Sequence, residues 1–355
     1  TLVLESPLLS LNASGSFNFE DIPFAFNNWL ELLTQPNLEE ARAQLSAKEP
    51  YVINASLDGK IPQIDYLNLW LDDYPVKTFN SNFSIELEDR PNEKKLRFLF
   101  YSDELKTEQL EWDSLTVSAL YRFGDENNQQ LIREANLNTE FGRLDFRNVP
   151  VTNVSARASL QNQNVSFSYR TDEFIQNARL DFDIQGFWGP DSIHLELPNF
   201  QFGNDIYGWS NDGIAQLDIV DEGVIDIQSL QLINGSELIT IDGRFGNNAS
   251  DRVNYQIRNV DLGKLSELIQ GRLPFAGIMN GRFRTGSLTD QPFFQGLLDV
   301  EELRLRNRLL GDVSLESRID SLSNRFIAEL EIISDTAKYK NAPLQHIYGN
   351  GFFQP

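Results

Sequence analysis

Residues Val224–Gly246 read VIDIQSLQLINGSELITIDGRFG. Ile225 and Ile227 flank Asp226, and Ile239 and Ile241 flank Thr240 on the far side of Asn234-Gly235-Ser236. Alternation with a period of two places the apolar side chains on one face of a strand and the polar ones on the other. A short Asn-Gly turn between two such runs predicts an antiparallel hairpin.

The same grammar extends outward from Ile214 to Ile332. Val313, Leu315 and Ile319 interleave with Asp312, Ser314, Glu316 and Arg318, and turns stand at Gly246-Asn247-Asn248, Gly286-Ser287 and Ser321-Leu322-Ser323-Asn324. The spacing leaves no room for crossover helices, so the strands form a meander. One helical insert is predicted, Asp261 to Gln270, with Leu262, Leu265, Leu268 and Ile269 on one face and Gly271 as its stop.

Upstream, strands are expected at Val52–Leu57, Tyr66–Leu71, Phe79–Leu87, Leu96–Tyr101, Leu115–Phe123, Leu131–Phe141 and Val151–Leu160. Val165–Tyr169, Ala178–Ile184, Ile193–Leu197 and Ile214–Val220 continue the series. Glu88–Lys95 and Gly124–Asn128 read as exposed hairpin ends, too polar to be buried. Phe24 to Ala47 is the longest segment with helical spacing, broken at Pro36 and restarted at Asn37, and reads as a helical hairpin capping the sheet. The expected division is 1–50 as strands plus cap, 51–213 as a first β segment and 214–355 as a second. The fold class is mostly β: one long antiparallel sheet folded over into a groove with an apolar interior, plus a few short helices.

The chain has 355 residues with 52 acidic and 30 basic side chains, a net charge of −22. That field repels phosphate backbones and anionic headgroups, which argues against nucleic acid binding and adsorption to membrane surfaces. The absence of cysteine removes thiolate chemistry and most zinc sites. A chain that starts at Thr1 and holds a single methionine, Met279, reads as an internal part of a longer polypeptide, with any membrane anchor outside it.

Catalytic signatures are lacking. The two histidines, His194 and His346, stand far apart, and no G-x-S-x-G, Walker loop or dinucleotide fingerprint is present. Asp181 and Asp183 alternate with Phe182 and Ile184, which places both carboxylates on a wet strand face rather than in a hydrolytic cleft. No D-x-[DN]-x-[DN]-G calcium loop occurs. The chain is read as a non-enzyme without cofactor or metal. Phe187-Trp188, Phe200 with Phe202, Tyr207 with Trp209, and Phe293-Phe294 could form a sugar-stacking platform, but are more cheaply read as core.

The run DLGKLSELIQGRLPFAGIMNGRFRTGSLTDQPFFQGLLDVEELRLRNRLLGDVSLESRID resembles the repeat of TamB and the wider AsmA-like bridge proteins. The matching features are the amphipathic stretch Leu262 to Ile269, the glycine-flanked strand Gly277 to Arg284, and the turn Thr285-Gly286. Pro292 with Gly296 and the alternating run Leu297 to Ile319 complete the match. Val224 to Gly246 is similar to the strand pair that precedes these features in that family.

The resemblance implies a folded-over sheet, the β-taco, in the periplasm of a Gram-negative bacterium. It implies a bridge that conducts phospholipid acyl chains between inner and outer membranes, with a further part in outer-membrane assembly and an outer-membrane barrel protein as partner. Strands lie about 4.8 Å apart, so roughly twenty of them make a trough on the order of 95 Å long. The stripe expected to line it is Ile225, Ile227, Ile239, Ile241, Val253, Tyr255, Ile257, Phe283, Leu298, Val300, Leu303, Leu305, Val313, Leu315, Phe326 and Leu330. For any single one of these, a dry core position is an equally good reading. The competing reading is an extracellular β-rich structural or adhesin-like module that binds calcium or glycans.

Overall fold

The computed structural model describes residues 2–5, 10–16, 37, 40, 53–61, 78–90, 93–106, 110–126, 130–146, 149–174, 178–220, 224–246, 248, 250–268, 275–286, 294–306, 308–320, 325–333, 338–339, 342–343 and 346–353. The expected helical hairpin at 24–47, apart from Asn37 and Glu40, the strand at 66–71 and the turn at 321–324 lie outside the described residues. The chain divides into two compact units, Thr1–Ile175 with Leu180–Pro190, and Gln176–Arg179 with Asp191–Pro355. Both are built from antiparallel strands, the mostly-β class that the alternation demands.

In the first unit the strands are β1 (Leu2–Glu5), β2 (Ser10–Ser16), β3 (Ile53–Ile61), β4 (Thr78–Arg90) and β5 (Glu93–Lys106). They continue as β6 (Leu110–Glu126), β7 (Gln130–Phe146), β8 (Val149–Gln161), β9 (Asn164–Arg170) and β10 (Arg179–Trp188). Each pairs antiparallel with the next in sequence.

The second unit opens with β11 (Ser192–Gly203), β12 (Gly208–Asn211), β13 (Ala215–Val220), β14 (Val224–Asn234), β15 (Glu237–Phe245) and β16 (Val253–Asp261). Helix α1 (Leu262–Leu268) follows, then β17 (Phe275–Thr285), β18 (Phe294–Leu305), β19 (Arg308–Asp320) and β20 (Arg325–Ile333). A small ladder of β21 (Lys338–Tyr339) and β22 (Ala342–Pro343) precedes β23 (His346–Phe353), which pairs with β20. From β13 to β20 every strand pairs with its successor.

Strand β12 was not anticipated from the pattern. It and β13 together form one interrupted strand between β11 and β14. The interruption frees backbone groups, and the Asn211 amide takes them up. Its Oδ1 accepts from Phe200 N at 2.8 Å, while its Nδ2 donates to the carbonyls of Leu197 at 3.0 Å and Gly213 at 2.7 Å. A four-residue strand with no alternation to show gives no periodic signal, which is why it was missed.

Similar repairs stand at the bulges of the second unit. Asn259 (φ +55°) and Glu302 (φ +48°) are bulge residues where the ladder register shifts. The Asn259 N–H donates to Asn280 Oδ1 and the Glu302 N–H to Asp312 Oδ1, both at 2.9 Å. Bulges bend a strand and sharpen its twist. Here side chains from the adjacent strands take the place of the missing ladder bonds.

Helix α1 begins at Leu262, one residue after the start its periodicity predicted. Asp261 is the last residue of β16 and caps the helix, its Oδ1 accepting from Gly263 N at 2.9 Å and Lys264 N at 3.1 Å. Ile269 and Gly271 lie outside the described residues.

Candidate functional site

The register sorts the second unit into an apolar and a polar face. One row across the strands runs Leu230, Ile241, Tyr255, Phe283 and Gly296, and the next runs Leu232, Ile239, Ile257, Gly281, Leu298 and Leu315. A third row holds Val260, Met279, Val300 and Val313, while Ile225 and Ile227 pair with Ile219 and Leu217 on the same side. Val253 sits beside Gly243, and Leu303 and Leu305 resume the face after the bulge at Glu302. Backbone register sets Phe326 opposite Ile319 and Leu330 opposite Leu315; their side chains are outside the described set.

The polar face carries what remains. Asp226, Thr240, Asp242, Asn254, Gln256, Arg282, Arg284, Asp299, Ser314 and Glu316 occupy the alternate positions. A shallow depression of about 470 Å³ opens there among Asp242, Asn254, Gln256, Arg282, Arg284 and Glu316.

Burial distinguishes the middle of the apolar face from one end. At that end α1 lies over the strands, and Leu268, Val260, Trp209, Tyr207 and Ala178 form a dry cluster. Leu265, Phe202, Leu232, Ile239, Ile257 and Met279 pack against it. Tyr207 and Trp209 meet edge to face at 6.1 Å, and the Tyr207 hydroxyl donates to Glu237 Oε2 at 2.6 Å. Burial, then the bond to Glu237, pushes the Tyr207 hydroxyl well above its usual range. These aromatics serve the core, as the sequence favoured. Phe187 is instead 42% exposed.

Away from α1 the face is only half-covered. Ile227, Ile241, Tyr255, Phe283, Leu298, Val313 and Leu315 are neither buried nor fully exposed, although they stand mid-strand. Val253 and Val300 are buried among their neighbours. Ile239 and Ile257, also expected to line a trough, are half-buried and pack against the dry cluster. Glycines lower the profile of this surface. A Cβ on Gly296 would come within 2.5 Å of the Phe283 ring, so the ring lies against the sheet rather than standing off it. Phe83 does the same over Gly59 in the first unit, where a Cβ would fall 2.1 Å from the ring.

The first unit repeats the two-faced plan. Leu57, Ile85, Phe98, Ala119, Leu137 and Ala158 share one row, and Ala55, Leu87, Leu96, Tyr121, Ala135, Leu160 and Val165 another. Leu137 is 44% exposed in the middle of that face, a position a second packed layer would have buried.

The end of this face departs from expectation. The segment Glu88–Lys95 was read as a solvated hairpin, yet Asp89 is 1% and Lys94 4% exposed. They form an ion pair, and with Phe123 and Arg133 they complete one row across β4 to β7. Arg133 is fully buried. Its Nε donates to the Asn162 carbonyl at 2.8 Å and its guanidinium lies 5.6 Å from the Trp188 ring. Burial lowers its pKa. Pairing satisfies both charges of Asp89 and Lys94, so polarity alone did not decide exposure.

Other positions match simple surface chemistry. His194 is exposed on the polar face with its Nδ1 2.5 Å from Asp218 Oδ1, and Asp183 holds Arg170 through both carboxylate oxygens at 2.7 and 2.6 Å. Among the described residues no group of three His, Cys, Asp or Glu side chains is placed to share a metal ion, and no helix is long and apolar enough to cross a membrane. The site therefore defines a class: an antiparallel β protein that presents a broad, half-covered apolar sheet face. No protein family, curated protein or solved structure matches the chain.

Proposed function

We propose that this chain is a non-enzymatic segment of a TamB-like lipid-transfer bridge, working in the periplasm of a Gram-negative bacterium. Its apolar sheet face holds phospholipid acyl chains while headgroups stay in water. The observation that carries this reading is the incomplete burial of Ile241, Phe283, Leu298 and Leu315 on one register-defined face. A sheet face this apolar requires a cover. Acyl chains supply one, at about 0.8 kcal/mol for each methylene removed from water.

Dimensions agree with that occupant. The seven steps from β13 to β20 give a face about 34 Å long at about 4.8 Å per strand. One leaflet's chains span about half of the ~30 Å bilayer core, so they fit along it. Conduction also favours a half-covered surface: a sealed pocket would retain the lipid, whereas an open one lets chains slide.

Organic extraction and mass spectrometry of protein purified from bacterial envelopes test the proposal. Phospholipid should co-purify with the native chain. It should fall to background in an Ile241→Asp, Leu298→Asp, Leu315→Asp variant whose far-ultraviolet circular dichroism keeps its strand signal. A native protein free of lipid, or a folded variant that still carries it, refutes the reading.

A further inference from the structure

The turn joining β18 to β19 concentrates positive charge in a chain whose net charge is −22. Arg306 stands in this turn, Arg304 near the end of β18 and Arg308 at the start of β19, and all three are exposed. Arg306 has a φ of +47°, the left-handed conformation that lets the chain reverse tightly. Leu305 lies across from Phe275 in the ladder, and the two side chains are 36% and 41% exposed. Cations and apolar groups thus share one tip, at the strand ends.

Among the described residues of these two strands, the nearest acidic side chains are Glu301, Glu302 and Asp312, set back from the apex at Arg306. Glu302 and Asp312 are tied together at the bulge by the 2.9 Å bond between the Glu302 N–H and Asp312 Oδ1. Along the chain Glu302 is about 13 Å from Arg306 but only about 7 Å from Arg304, at roughly 3.3 Å per residue. The Debye length in 0.15 M salt is about 8 Å, so Arg306 at the apex is largely screened from the Glu302 carboxylate, while the charge of Arg304 is partly offset by it. The overall charge, which argues against membrane adsorption of the chain as a whole, does not govern contact at this tip.

We propose that the β18–β19 tip docks on the surface of an anionic phospholipid bilayer. The guanidinium groups bind headgroup phosphates, a geometry arginine matches with paired N–H donors. Leu305 and Phe275 enter the boundary between headgroups and acyl chains. Docking rests on the arginines, which stand outside the apolar stripe; Leu305 belongs to both, so the arginine variants are the ones that separate docking from lipid carriage on Ile241, Leu298 and Leu315.

Liposome flotation of the full chain in 0.15 M salt provides the test. Vesicles of phosphatidylglycerol with phosphatidylethanolamine should carry the protein upward, pure phosphatidylcholine vesicles should not, and added salt should release it. Each arginine contributes roughly a fivefold gain in partitioning, so R304E/R306E/R308E should bind at least about a hundredfold more weakly. F275S/L305S should lower binding while keeping its dependence on anionic lipid. Circular dichroism checks the folding of each variant, and R304Q/R306Q/R308Q replaces the glutamate set should that set fail to fold. The proposal is overturned by a native chain that stays at the bottom with anionic vesicles, by equal flotation with neutral ones, or by a folded arginine variant that floats like the native chain. Since lipid extraction reads the apolar face and flotation reads the tip, failure of one leaves the other standing.

Discussion

The apolar face of the first unit runs out in buried charge, whereas that of the second runs out beneath a helix. In the first, Asp89, Lys94 and Arg133 share a row with Phe123. In the second, Leu268 and Leu265 of α1 close over Val260, Met279 and Trp209. The two solutions carry opposite risks. Removing one member of a buried ion pair strands its partner's charge, while trimming a dry cluster leaves a cavity whose cost depends on how far the neighbours relax.

The largest effect should therefore come from Lys94→Met, which leaves Asp89 without its ammonium. A loss of about 3–5 kcal/mol is expected in denaturant titration. Asp89→Leu combined with Lys94→Met should recover most of it. Were the double variant as damaged as the single one, the charges would be holding the end of the face together by more than their mutual pairing.

Trp209→Ala should cost a comparable 3–5 kcal/mol by emptying the cluster under α1. Amide exchange should show the loss concentrated in the second unit. Leu298→Ala is the informative counterpart. Leu298 sits in the half-covered middle of the same face, and its truncation should cost less than about 2 kcal/mol, since little packing is removed. A cost as large as that of Trp209→Ala would mean that the middle is sealed too.

The two buried tyrosines sharpen the contrast further. Burial raises the pKa of both hydroxyls. Tyr207 donates to Glu237, but the Tyr121 hydroxyl has no hydrogen-bond partner among the described residues. Tyr207→Phe should thus cost about 1–3 kcal/mol by leaving the Glu237 carboxylate short of a donor. Tyr121→Phe should be neutral or slightly stabilising, because it removes a desolvated hydroxyl that gains nothing in return. Equilibrium unfolding of both variants measures the difference, and equal losses would erase it.

The smallest losses belong to the bulges. Asn280→Ala and Asp312→Ala each remove the acceptor for one displaced backbone N–H, at Asn259 and Glu302. About 1 kcal/mol apiece is expected, since water can replace the lost partner at these exposed positions.

How much of this was legible beforehand varied with the kind of signal. The rows through Ile241, Leu298 and Leu315 were readable because strict alternation admits only one sidedness for a strand. The helix was visible in the spacing of Leu262, Leu265 and Leu268, though Asp261 proved to be its cap. Strand β12, the Asn211 repair and the bulge acceptors Asn280 and Asp312 left no trace in periodicity. Each depends on a neighbour across a strand boundary, set by register rather than by local order. The same applies to Asp89 and Lys94, whose polarity pointed outward until pairing turned them in.

Composition and alternation by themselves determined that this is an acidic, antiparallel β protein with one greasy and one wet side, because a period of two is a property of the backbone. Only the tertiary structure decided which part of the greasy side is dry, which part stays half-open, and where charges are buried. Those outcomes depend on what lies opposite each residue and how closely it packs, and a linear pattern does not encode distance.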